Sequence, residues 1–159
     1  MPYLVDGYNL AGISKEFSKN GPPAADQVIR FLNRFARAKR THITVVFDGF
    51  PPESSSRQSL ERTFDAVKIV FTGNESDADT RIRKMIPGFS NTRGWVVVSS
   101  DHAVYDYARV HGVRALRSDE FFKEAQRCME KHAQATRSSD AKVDSAEVDY
   151  WLRVFGEEK

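Results

Sequence analysis

Residues 43–49 read Ile43-Thr44-Val45-Val46-Phe47-Asp48-Gly49, and this stretch decides the fold class. Five consecutive positions are apolar or β-branched, without the polar alternation of a strand that has one face in water. Such a run fits a strand buried on both faces, the central position in a parallel sheet. The acid and glycine that close it mark a turn at the strand's carboxyl end.

Two other stretches end the same way: Tyr3-Leu4-Val5-Asp6-Gly7 and Trp95-Val96-Val97-Val98-Ser99-Ser100-Asp101. Further strands are expected over 66–71 and 113–116. Helical spacing links them. Asp26 should cap a helix whose Val28, Ile29, Leu32, Phe35 and Ala36 form one stripe, with Arg30, Arg34, Arg37 and Lys39 mostly opposite. A helix over 76–85 carries Ala78, Ile82 and Met85 and stops at Pro87-Gly88. Another runs from Ala103 to Gly112, and Ser118 should cap one that carries Phe121, Phe122, Ala125 and Met129. Residues 10–23, with Gly, Ser, Asn and a Pro22-Pro23 pair, and 51–62, rich in Ser, Pro and Arg, read as loops, the second of them mobile. Strands alternating with helices predict an α/β fold with a mostly parallel sheet. The polar residues 134–142 read as a linker, and Asp144-x-x-Glu147 opens a last helix with Val148, Trp151, Leu152 and Phe155 turned back on the body. The expected organisation is one domain over 1–133, followed by a linker and packing helix over 134–159.

The bulk numbers leave this picture room. The chain has 159 residues, enough for one domain, and its eleven Phe can fill a core. A net charge of +2 forces no polyanion partner, so any nucleic-acid site must come from local patterning. One cysteine, Cys128, excludes an internal disulfide framework and a cysteine zinc knuckle, and reads as a partly buried structural thiol. His42, His102, His111 and His132 lack ligand spacing. The first residues do not form a secretory signal, and no apolar run approaches the ~20 residues of a membrane span. A cytoplasmic protein is expected.

Acids at the carboxyl ends of three strands, Asp6, Asp48 and Asp101, lie where open parallel sheets build their sites. Converging carboxylates repel and are unfavourable to bury without a cation. Oxygen donors without cysteine favour Mg²⁺ or Mn²⁺ over zinc, and such a centre suits phosphodiester hydrolysis. A fourth acid comes from Glu75-Ser76-Asp77-Ala78-Asp79. On a helix Asp77 and Asp79 lie about 200° apart and Glu75 and Asp79 about 40° apart. Asp79 borders the stripe of Ile82 and Ile86 and should face the sheet, with Glu75 as a helper. Asp77 should face solvent and favour the helix dipole. Any single one of these acids is equally well a turn or cap residue. Four in the right topological places are harder to assign to coincidence.

Val5-Asp6-Gly7-Tyr8-Asn9, Val46-Phe47-Asp48-Gly49, Glu75-Ser76-x-Ala78-Asp79 and Val97-Val98-Ser99-Ser100-Asp101 resemble the NYN domain, specifically its YacP-like branch within the PIN-like nuclease superfamily. The similarity runs from Tyr3 to about Phe122, and the 148–155 segment resembles a terminal helix of that branch. The resemblance implies a three-layer α/β/α sandwich with a C-terminal helix, an Mg²⁺ or Mn²⁺ centre, and endonucleolytic cleavage of RNA linked to ribosomes. By position it makes Asp6, Asp79 and Asp101 metal-binding catalytic acids and Asp48 an accessory acid. Asn9 becomes a polar group near the scissile phosphate, and Ser99 or Ser100 a support for Asp101. The sequence departs from the family's Glu-Ser-Ala-Asp pattern: Asp77 interrupts it, and Thr80 stands where another acid is common. Aligned on Glu75-Ser76, Ala78 would occupy the acid's position.

For RNA, the candidate cations are Lys15, Lys19, Arg57, Arg62, Arg81, Arg83, Lys84 and Arg93, expected near the acidic end. Tyr8 and Phe50 are candidates for stacking on unpaired bases. Arg81, Arg83 and Lys84 equally read as a solvated helix face, and Tyr8 as a packing residue. Two other functions compete with the nuclease. One is a non-catalytic RNA- or ribosome-binding module of the same fold. The other is a phosphatase or phosphotransferase, disfavoured by the lack of Asp-x-Asp after the first strand and of a Gly-x-x-x-x-Gly-Lys loop.

Overall fold

A computed structural model of the chain describes residues 1–17, 22–51, 60–74 and 77–140. Six strands form one sheet: β1 (Tyr3–Asp6), β2 (Ile43–Phe47), β3 (Glu61–Phe64), β4 (Val67–Phe71), β5 (Val96–Val98) and β6 (Arg114–Leu116). Their order is β3-β4-β2-β1-β5-β6, and all pairs are parallel except β3 with β4. The chain lays β2 and then β4 on one side of β1, and crosses back to place β5 and β6 on the other. The order therefore reverses between β1 and β5, and the crevice at that point opens at the strands' carboxyl ends.

Successive strand residues face opposite sides, and the core divides accordingly. Tyr3, Val5, Val45, Phe47 and Val98 pack under α1 (Gly7–Ala11), α2 (Pro22–Lys39) and α5 (Ser118–Asp140). Leu4, Val46, Val70 and Val97 pack under α3 (Ala78–Met85) and α4 (His102–Val110), through Ile82, Val104 and Ala108. The result is an α/β/α sandwich. Aromatic rings join α2 to α5: Phe31 stacks on Phe122 at 5.1 Å, and Phe35 meets Phe121 edge-on at 5.1 Å. Cys128 is half-buried against this core. No helix among the described residues is long and apolar enough to cross a membrane.

Several elements differ from the sequence reading. The chain enters α1 directly after Asp6 instead of a turn, and α2 starts at Pro22, inside the expected loop. Proline is well placed there, because the first helical N–H groups have no intrahelical partner. Asp26 is consequently no cap; it pairs with Arg30 at 3.2 Å within the helix. β3 occupies part of the expected loop over 51–62. Helix α5 continues to Asp140 through the polar stretch read as a linker. Ser118 opens α5, but its hydroxyl goes to Asn9 and not to its own helix. The expected helix over 144–155 lies outside the described residues.

Gly7 is where β1 and α1 press closest on the core. A Cβ there would lie 2.3 Å from the Phe47 ring. That ring is fully buried, stacked on Phe71 at 5.3 Å, so it has nowhere to go. Gly7→Ala is expected to destabilise the protein by roughly 1–3 kcal/mol, the usual penalty for overpacking. A thermal melt reads this as a fall of several degrees. Gly88→Ala, whose Cβ would meet open space, should show no fall.

Candidate active site

The three strand-end acids converge on one side of the carboxyl edge. Asp6 continues the Leu4 side of β1, and Asp48 the Val46 side of β2, so both belong to the layer of α3 and α4. The amino ends of those two helices meet them there. Asp48 Oδ1 accepts the Ala78 N–H at 2.5 Å. Asp101 caps α4, its Oδ1 accepting from Ala103 at 2.8 Å and Val104 at 3.4 Å. Unpaired helical N–H groups and the helix dipole make such ends favourable places for carboxylates. Gly49, at φ +83°, turns the chain so that Asp48 can reach α3, and its N–H is anchored by Thr72 Oγ1 at 3.0 Å.

Asp6 also stands at the start of a helix, α1, but makes no regular side-chain capping bond there. It is 8% exposed, and its pKa is pushed up to about 7. Burial is the largest cause, and the charges of Asp48 and Asp101 add to it. Two groups oppose the rise. The Asn9 backbone N–H approaches the carboxylate, without making a regular capping bond, and the Ser99 hydroxyl donates to Oδ2 at 3.4 Å. The same Ser99 oxygen accepts the Asp101 N–H at 3.1 Å, so one serine ties the two acids together.

A second set of bonds fixes the walls. Asn9 Oδ1 accepts from the Ser100 N–H at 2.8 Å and from the Ser118 hydroxyl at 2.5 Å. Ser100 Oγ in turn accepts the Ser118 N–H at 3.0 Å. Asn9 therefore joins α1 to the β5–α4 turn and to α5, and its Nδ2 has no partner among the described residues. Ser118 is fully buried. Sequence reasoning assigned it no part in the site, since a serine at a helix start carries no local sign of a partner 109 residues away. Tyr8 packs its ring edge-on against Phe47 at 4.9 Å and stays half-exposed. Burial first, and then the charge of Asp48, raise the pKa of its phenol.

Of the fourth-acid candidates, Asp77 is exposed as expected. It caps α3 by accepting the Thr80 N–H at 2.8 Å, and has its pKa lowered first by the Thr80 side chain and then by that bond. Asp79 is half-buried, with Arg83 Nε at 2.9 Å. It is not among the charges that act on Asp6; Asp48 fills that place. Among the described residues no group of three acidic, His or Cys side chains is close enough to hold a metal ion.

The basic candidates disperse. Arg81 pairs with Glu61 at 3.1 Å. Arg62 lies exposed on β3, Lys15 exposed after α1, and Lys84 exposed on α3. Phe50 is 44% exposed. Arg93 is a correction: it precedes β5 and so sits at the amino edge of the sheet, opposite Asp101. Lys19, Arg57 and Glu75 lie outside the described residues.

A family model described as the YacP-like NYN domain matches residues 3–153. The chain belongs to this family. Its fold is accordingly of the nuclease-like NYN type. The crystal structure of Rae1 (YacP) from Bacillus subtilis is similar, with a TM-score of 0.72 at 21% identity, covering 99% of this chain and 89% of that one. A tryptophan-to-leucine variant of that protein gives a TM-score of 0.70 at 21% identity over 96% and 91%. At this identity the likeness concerns the fold. No curated protein sequence matches significantly.

The raised pKa of Asp6 sets a pH dependence. An unfolded aspartate ionises near 3.8, whereas this one does so near 7 in the fold. Folding therefore favours its proton, and stability is lost as pH rises from about 4 to about 7. Asp6→Asn is free of that loss. The variant should melt several degrees above the wild type at pH 8 in chelator, and the gap should close toward pH 4.5. An unchanged gap across that range would show that Asp6 ionises normally.

Proposed function

We propose that the chain is a metal-dependent endoribonuclease that hydrolyses RNA phosphodiester bonds at the carboxyl edge between β1 and β5. One observation carries this reading: Asp6 is buried beside Asp48 and Asp101, with a pKa of about 7. A carboxylate in such a place destabilises the fold, and it suits a centre that takes up a cation. The donors are oxygens, which fits Mg²⁺ or Mn²⁺. Such ions are often held by one or two carboxylates, with water and substrate phosphate completing the shell. Asp6 and Asp101 are the residues best supported for that task, with Asp48 close behind and Asp79 engaged by Arg83. A cation bound there would supply activation of water and stabilisation of the leaving oxygen.

The chain's own groups supply the rest. Ser99 keeps Asp6 and Asp101 in register. Asn9 Nδ2 is available to a phosphate oxygen, and the half-exposed ring of Tyr8 to a base. Lys15 and Arg62 are the described cations best suited to the RNA backbone around the pocket, Arg81 being engaged by Glu61. RNA as substrate, and ribosome-linked mRNA decay as setting, rest on the family resemblance. A second reading, an RNA- or ribosome-binding module without catalysis, draws support from the absence of a three-residue metal group among the described residues.

Labelled unstructured RNA, with Mn²⁺ and with chelator, separates the two. Chelator-sensitive internal cleavage is expected, reduced at least ~100-fold in Asp6→Asn and Asp101→Asn. Asp79→Asn should lose roughly tenfold, the scale of residues that support a metal centre, because Arg83 already neutralises it. Binding without cleavage under every metal condition would establish the module.

A further inference from the structure

A second charged surface lies along the edge strand β6. An open pocket of about 540 Å³ is lined there by Arg93, Tyr105, Arg109 and Arg114. They come from separate elements: Arg93 from the turn before β5, Tyr105 and Arg109 from α4, and Arg114 from β6. The Arg109 guanidinium carbon is 5.7 Å from the Tyr105 ring centroid, and that of Arg117 is 5.1 Å from it. Among the described residues Arg93, Arg109 and Arg114 make no ion pair, and Arg117 has only a 3.9 Å approach to Glu120. Arg30, Arg37, Arg81 and Arg83, by contrast, each have a carboxylate within 3.2 Å.

Arg93 and Arg109 lie on the α4 side of this edge, and Arg114 shares the face of Val96 and Tyr3, which Glu124 also influences. Guanidinium cations spaced along one edge without an ion pair repel one another, and an anion lowers that repulsion. Their planar forks match phosphate oxygens, which a lysine meets only as a point charge. The layout favours a string of phosphates over a single one. Arg93 and Arg114 mark the amino end of the strand, and Arg117 follows its carboxyl end, about 10 Å away at ordinary strand rise. Arg117 adjoins Ser118, whose hydroxyl holds Asn9 of the acidic pocket. The line of charge thus begins beside that pocket and leads away from it. Guanidinium groups already approach the Tyr105 ring, so this surface grips backbone and not bases.

We propose that the β6 edge is a phosphate track for single-stranded RNA, holding nucleotides that lie beyond the bond at the acidic centre. The proposal rests on the nuclease reading for the identity of the polymer, but its test does not need cleavage. Binding of a labelled, unstructured RNA of about fifteen nucleotides is measured by anisotropy, in chelator, over 50–200 mM salt. The variant R93Q/R109Q/R114Q is expected to bind at least ~10-fold more weakly at the low-salt end, with a log–log salt slope shallower by about 2, given ~0.7 per phosphate contact on single strands. R93K/R109K/R114K keeps the wild-type slope. All three positions are exposed, and the single variants R109Q and R114Q, each with part of the slope change, serve if the triple variant melts early. A glutamine variant with wild-type affinity and slope overturns the track. A wild type that binds no RNA overturns it too, and leaves an acidic protein as the occupant. Cleavage with an unaltered slope keeps the nuclease and removes the track; slope loss in a chain that never cleaves does the reverse.

Discussion

The carboxylate of Asp6 has been taken out of water next to two others, and the site is built around that fact. Its place is fixed by β1, which pairs on both sides and is fully buried. Moving Asp6 toward solvent would require shifting β1 by a residue, which would turn Leu4 and Val5 to the wrong layers. The hydrophobic pattern that holds the sheet together therefore also holds an acid where ionisation is unfavourable. Stability alone gives no reason for aspartate at this position.

The neighbouring acids are treated differently. Asp48 and Asp101 each accept backbone N–H groups at the start of a helix, which stabilises their negative charge. Asp6 receives only the weak approach of Asn9 and a long bond from Ser99. Burial raises the pKa of Asp6, and the nearness of the other two carboxylates adds to that rise. Ser99 links Asp6 to the Asp101 backbone, so displacement of either acid is felt by the other. Such an arrangement makes the protonation of Asp6 the variable and leaves the frame constant.

The parts legible in sequence were those with a local cause. Continuous apolar runs gave β1, β2 and β5, and the acid after each run marked the crevice. Asp77 is exposed as expected, though as an extended cap before α3 and not as a residue on its face. The β3 strand was not legible, because Glu61-Arg62-Thr63-Phe64 pairs on one side only and leaves all four side chains exposed. Without a buried face there is no period-2 pattern to read. The five residues of α1 are too few to show periodicity, and the polar end of α5 resembles a linker because its residues 134–137 are exposed. The Asn9–Ser118 bond joins positions far apart in sequence, and only the tertiary fold brings them together. Arg93 misled for a related reason: it is near Asp101 along the chain, but a whole strand lies between them.

Charge must also be kept apart for both ends of the site to work. An arginine placed against the acidic pocket would pair with it, as Arg83 does with Asp79, and would then offer nothing to phosphate. Arginines along β6 avoid this, since screening at physiological salt leaves little attraction beyond about 8 Å. Arg93 and Arg114 stand at the amino end of their strands, a strand's length from the carboxyl edge where Asp101 lies. The same distance forces a ligand that meets both regions to be an extended chain of charges. On the proposed reading, a small phosphorylated molecule meets one end only, while a single strand of nucleic acid follows the edge from Arg114 past Arg117 to Asn9.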